Sequence, residues 1–154
     1  MGKTILLGVL IVAGGILGWQ QYDSNRQAEL RASVKTYVRS FNRYRNSEHE
    51  MLRHIIELKR YGGFIPDNLR EPLAHDVQQM LEKDGCPRIP DKTLRERCNG
   101  LFTQYQQSLE ALKVQGFTQA VGEPLRNIMH QAHEFMDEVA AKYPDFITRT
   151  VVSS

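Results

Sequence analysis

The chain has 154 residues, two cysteines, a formal net charge of +2 and a charged fraction of 25%. It is long enough to bury a real core, and its near-balanced charge suits a soluble domain without demanding an acidic partner. Two cysteines cannot build a disulfide-dense scaffold, although they can make one staple, and neither a solenoid-length repeat nor a low-complexity run is present.

The first distinctive stretch is Thr4–Gly18, TILLGVLIVAGGILG, which carries no charge. As a helix it spans about 22 Å, short of the ~30 Å hydrocarbon core of a bilayer. Lys3 can snorkel outward, and Trp19 and Tyr22 suit the interface, so a thinned span is feasible. A cleaved secretory signal is the rival reading, but the A-x-A cleavage pattern is missing. Gly14 and Gly18 match G-x-x-x-G, a spacing that lets membrane helices approach closely; in so glycine-rich a stretch, composition alone accounts for it. Residues 1–20 are therefore expected to be an uncleaved membrane anchor, residues 21–144 a helical bundle with a long first helix, and residues 145–154 a flexible tail.

A heptad follows the anchor: Leu30, Val34, Tyr37, Phe41, Tyr44, Glu48, Met51, Ile55 and Leu58, with only Glu48 breaking the apolar series. The spacing predicts one helix from about Gln21 to Tyr61, stopped by Gly62-Gly63. Its first half, through Leu30, Val34, Tyr37, Phe41 and Tyr44, is expected to stand clear as a stalk or to form a seam with a partner chain. A second helix is predicted over Pro72–Lys83, with Pro72 at its first position and Leu73, Val77, Met80 and Leu81 inward. The stiff loop Cys86-Pro87-Arg88-Ile89-Pro90 leads to a third helix, capped by Asp91, with Leu94, Cys98, Leu101, Tyr105, Leu109 and Leu112 inward. Gly116 closes it. A fourth helix, Thr118–Tyr143, presents Val121, Leu125, Ile128, Ala132, Phe135 and Val139 and ends at Pro144. β-branched runs are scarce, so the fold class is all-α: an N-terminal transmembrane anchor, a long heptad helix and a small antiparallel bundle.

Cys86 and Cys98 sit close enough in sequence to close a small loop in an oxidising compartment, a staple of roughly 3 kcal/mol on the entropic model. Arg31, Lys35, Arg39 and Arg43 recur every four residues as a basic stripe, extended by Arg26 and Arg45. The stripe reads first as a solvated face, and functionally as a contact for anionic lipid headgroups or an acidic partner protein. Nucleic acid is not expected, because base-stacking aromatics are not interleaved outside the seam. His130, His133 and Glu134 lie close together, as do Glu50 and His54. The heptad phases leave His49, His54, His130 and His133 outside the seams, so they are expected to be exposed, and no metal or cofactor is expected. No serine, cysteine or threonine stands in a nucleophile motif, so no catalytic residue is assigned.

Lys3 and the free amine precede the span, while Arg26, Arg31 and Lys35 follow it, a near balance under the positive-inside rule. The very short N-terminal tail and the cysteine pair favour an N-in inner-membrane protein with a periplasmic domain. Two stretches resemble the LemA family of membrane-anchored bacterial helical proteins. One runs from Arg45-Asn46 through Leu58-Lys59-Arg60-Tyr61 to Phe64-Ile65-Pro66-Asp67-Asn68-Leu69, and the other is Ala141-Lys142-Tyr143-Pro144-Asp145-Phe146. Gly62-Gly63 intrude into the first, and the family's closing helix is missing. The resemblance implies an anchored helical domain and, in contrast to the cysteine pair, a cytoplasmic one. The expected function is a non-enzymatic adaptor, regulator or assembly factor that binds lipid and either another envelope protein or itself. The alternatives are a secreted or membrane-released effector such as a lysis regulator, and a metal- or ligand-sensing bundle.

Overall fold

The computed structural model describes residues 2–58 and 64–147, with side chains described at residues 19–56 and 64–147. Among the described residues there are four α-helices, α1 (Gly2–Leu58), α2 (Asp67–Leu81), α3 (Lys92–Gln115) and α4 (Gln119–Lys142), with a 3₁₀ turn at Cys86–Arg88 before α3. The chain divides into two compact units, Met1–Ala32 and Ser33–Ser154. In the first unit Trp19 and Tyr22 are largely exposed. The expected anchor, Thr4–Gly18, lies outside the residues whose side chains are described. Among the described residues no helix is long and apolar enough to cross a membrane.

In the second unit the heptad of α1 is an internal seam. Val34, Tyr37, Phe41, Tyr44, Met51 and Ile55 are all buried, and Glu48 is buried with them. This corrects the expected stalk and partner seam: Val34, Tyr37, Phe41 and Tyr44 cover apolar surface of their own chain. Leu30, in the first unit, is half-buried. The reason is geometric. Ser33 donates to the carbonyl of Arg88 at 2.7 Å, the Tyr44 ring meets Phe102 edge-on at 5.2 Å, and Glu48 meets Tyr105. Residue numbers rise together along α1 and α3, so the two run parallel. Glu48 meets His133, while Ile55 and Leu125 line one cavity, so α4 runs antiparallel to α1. Arg97–Glu138 and Asp91–Lys142 likewise set α4 antiparallel to α3.

α2 starts at Asp67 rather than Pro72, and Pro72 sits inside it. Its first turn is held by Arg70 Nη2, which pairs with Asp67 Oδ1 at 2.8 Å while the arginine stem is buried. Pro72 is exposed, so the carbonyl four residues back, freed by the missing N–H, can turn to water. Pro124 occupies the same position in α4 and is also exposed. Asp91 caps α3 as expected, its Oδ1 accepting from Leu94 N at 2.8 Å. Phe102, one residue past the expected Leu101, is fully buried where Leu101 is only half-buried. Gly116 ends α3 at φ 69°, a left-handed conformation that favours glycine. The inward face of α4 is the expected one, widened by Met129 and Met136. Past α4, Phe146 stacks on Tyr143 and Ile147 is buried, so the chain stays packed beyond Asp145. Residues 148–154 of the expected tail lie outside the described set.

Candidate functional site

The polar centre of the bundle is one carboxylate. Glu48 occupies a core position of the α1 heptad and is 2% exposed. Such a charge is tolerated only when its lone pairs are filled. Here they are: Tyr44 donates to Glu48 Oε1 at 2.5 Å, Tyr105 donates to the same oxygen at 3.0 Å, and His133 Nε2 meets Oε2 at 2.6 Å. Opposite a carboxylate the Nε2 must carry the proton. The Glu48 bond, above all, holds the His133 imidazole above its ordinary pKa, against the opposing effects of partial burial and of Arg45. Burial, and then the neighbouring Glu48 charge, pushes the Tyr44 phenol well up; burial, with Tyr44 and Glu48, does the same for Tyr105. Both phenols are therefore donors at any ordinary pH. Phe41 closes the side of the cluster, its ring edge-on to the imidazole at 5.9 Å.

His133 corrects the expectation of exposed histidines. It is half-buried, and α4 aims it at the α1 seam. His133 lies beside the apolar stripe of α4, and the acid it meets belongs to α1, 85 residues away in sequence. The only signal in the sequence was Glu48 itself, a glutamate at an apolar heptad position. His130 and Glu134 do pair, at 3.4 Å, but on an exposed face. Among the described residues no group of three or more His, Cys, Asp or Glu side chains could hold a metal ion. A second buried carboxylate, Asp76 on α2, accepts from the Ser47 hydroxyl and ties α2 to α1.

The cluster lies at the floor of an open groove between α1 and α4, lined by Arg45, Asn46, His49, Leu52 and His133 among others. At the neighbouring end Leu52 also borders an apolar cavity of about 150 Å³, with Ile56, Phe117, Leu125, Arg126 and Met129. Gly122 in this wall permits the close approach of Phe117, since a Cβ there would come within 2.9 Å of its ring.

The remaining expected residues fall elsewhere. Cys86 and Cys98 are joined in a disulfide, with Cα atoms 5.5 Å apart and both residues fully buried, linking the 3₁₀ turn to α3. The basic stripe is exposed at Arg31, Lys35, Arg39 and Arg43, apart from the Glu48 cluster.

Fold and site together define an all-helical bundle with a satisfied ionic centre and a groove beside it. No protein-family model, curated protein or solved structure matches the chain.

Proposed function

We propose that the chain is a non-enzymatic, single-pass envelope protein whose bundle acts as an adaptor, regulator or assembly factor by binding another protein. The observation that carries the reading is the Cys86–Cys98 disulfide, fully buried between the 3₁₀ turn and α3. A disulfide of that kind persists in an oxidising compartment such as the bacterial periplasm. With it goes the uncharged stretch Thr4–Gly18, read as an N-in anchor that leaves the bundle on the outer side of the inner membrane. The exposed stripe of Arg31, Lys35, Arg39 and Arg43 suits contact with anionic headgroups. The likeness to LemA proteins agrees with an anchored helical domain and opposes this placement, since it implies the cytoplasmic face.

A test combines membrane fractionation with intact-mass measurement and thiol labelling. The reading expects the full-length mass, carbonate-resistant membrane association and no free thiol before reduction. Labelled thiols in the untreated protein would place the bundle in a reducing compartment and favour the LemA-like arrangement. A second reading, a membrane-released effector such as a lysis regulator, rests on the short, glycine-rich span. It expects a soluble full-length pool. For the ligand-sensing alternative, equilibrium dialysis against transition metals measures stoichiometric uptake directly.

A further inference from the structure

In the second unit the outer face of α1 carries one sign of charge. Val34, Tyr37, Phe41 and Tyr44 point inward, and helical phase sets Lys35, Arg39 and Arg43 on the other side, all exposed. No Asp or Glu stands between Glu29 and Glu48 in the sequence, and Glu48 is buried. Exposed cations elsewhere have acids to hand: Arg53 meets Glu50, Arg97 meets Glu138 and Lys142 meets Asp91. Among the described residues Lys35, Arg39 and Arg43 have no such partner. Nor, among those residues, does α1 expose a large apolar side chain between Tyr22 and Leu52. Unpaired charge without an apolar anchor selects among partners. A protein interface is organised around apolar and aromatic anchors and is poor in lysine. A layer of lipid headgroups asks for charge alone, each lysine or arginine near it adding attraction that salt screens.

We propose that Lys35, Arg39 and Arg43 hold the bundle on its side against an anionic lipid surface, with the outer face of α1 toward the headgroups. The placement rests on the anchored reading above and fixes which face of the second unit meets the bilayer. The three cations follow one another at about 6 Å along the helix axis, so a flat charged layer can meet them together. An upright helix would instead carry Asn46 about 40 Å beyond Gly18. Headgroup charge does not reach so far, because its field fades over roughly 8 Å in physiological salt.

The test places the full-length chain in bilayer nanodiscs whose lipids carry a nitroxide quencher on the headgroup. A small fluorophore is attached through Asn46→Cys, exposed on the same face, or through Gln107→Cys, exposed on α3. The native cysteines are joined to each other, so the new thiol is labelled alone. The expected result is strong quenching at position 46 in anionic discs and none at position 107. Quenching at 46 should drop about threefold or more in zwitterionic discs, and likewise in about 1 M salt, where the electrostatic reach shrinks to roughly 3 Å. Joint replacement Lys35→Gln, Arg39→Gln and Arg43→Gln should have the same effect. The charge-preserving set Lys35→Arg, Arg39→Lys and Arg43→Lys should keep the signal, since a headgroup layer reads charge and a specific protein pairing reads geometry. No quenching at 46, equal quenching at 107, or a signal indifferent to lipid charge or to the glutamine set would overturn the proposal. If the chain is incorporated into discs while position 46 stays unquenched, the anchored reading stands and the placement falls. A chain that does not enter discs at all would sink both.

Discussion

Glu48 shows how one side chain can govern three helices. Truncation to alanine leaves two buried phenols and an imidazole without their acceptor, so Glu48→Ala is expected to cost about 3–5 kcal/mol in chemical denaturation. His133 adds a pH dependence with a definite sign. Its bond to Glu48 raises its pKa in the folded state above the ordinary value of 6.5. A group so shifted contributes its full stability below the unfolded pKa and loses it as pH rises through the folded one. Denaturation midpoints should therefore fall as pH climbs past 6.5, and His133→Gln should flatten that slope. Tyr37 is the opposite case. It is fully buried, its hydroxyl has no hydrogen-bond partner among the described residues, and burial drives its pKa far up. Removing an unsatisfied buried hydroxyl while keeping the ring relieves a desolvation cost, so Tyr37→Phe is expected to raise stability by about 1 kcal/mol. A loss of stability in the same assay would mean that the hydroxyl is bonded after all.

At the scale of elements, periodicity was a good guide wherever an apolar stripe met an apolar surface. The α1 heptad, the inner faces of α3 and α4, the Asp91 cap and the Gly116 stop all follow from spacing and cap chemistry. Prolines misled. Pro72 reads as a first helical residue, but the Asp67–Arg70 pair starts α2 earlier and the proline is carried on the solvent face. The loop before α3 depends on contacts far apart in sequence. Asp91 caps α3, pairs with Lys142 at 2.7 Å and donates its backbone N–H to the Tyr143 hydroxyl at 3.0 Å. The Lys142 bond, with the Leu94 N–H, holds the Asp91 carboxyl below its usual range. The disulfide fastens the same loop from the other side. Reduction, or paired Cys86→Ser and Cys98→Ser changes, should lower unfolding stability by roughly 3 kcal/mol. Hydrogen exchange should then rise first in residues 84–91.

For the whole molecule, sequence reading recovered the all-helical class and the cysteine pair but misplaced the seam and missed the site. A heptad says that a face is buried and leaves open what buries it, since a partner chain and the chain's own helices demand the same spacing. Val34, Tyr37, Phe41 and Tyr44 turned inward because α3 and α4 supply matching apolar faces. The Glu48 cluster was less legible still. Its members lie at positions 44, 48, 105 and 133, and only the tertiary arrangement of α1, α3 and α4 makes them neighbours. That arrangement has a consequence for uniqueness as distinct from strength. Leucines and methionines can slide by a helical turn and still find apolar company, whereas a carboxylate that must meet two hydroxyls and one imidazole has a single acceptable register. Converting the cluster at once to apolar residues of similar size (Tyr44→Phe, Glu48→Met, Tyr105→Phe and His133→Leu) should hold or increase stability. The cost should appear in the spectrum: methyl resonances of the core, sharp and singular in the native chain, should broaden or double as alternative registers of α1 become accessible.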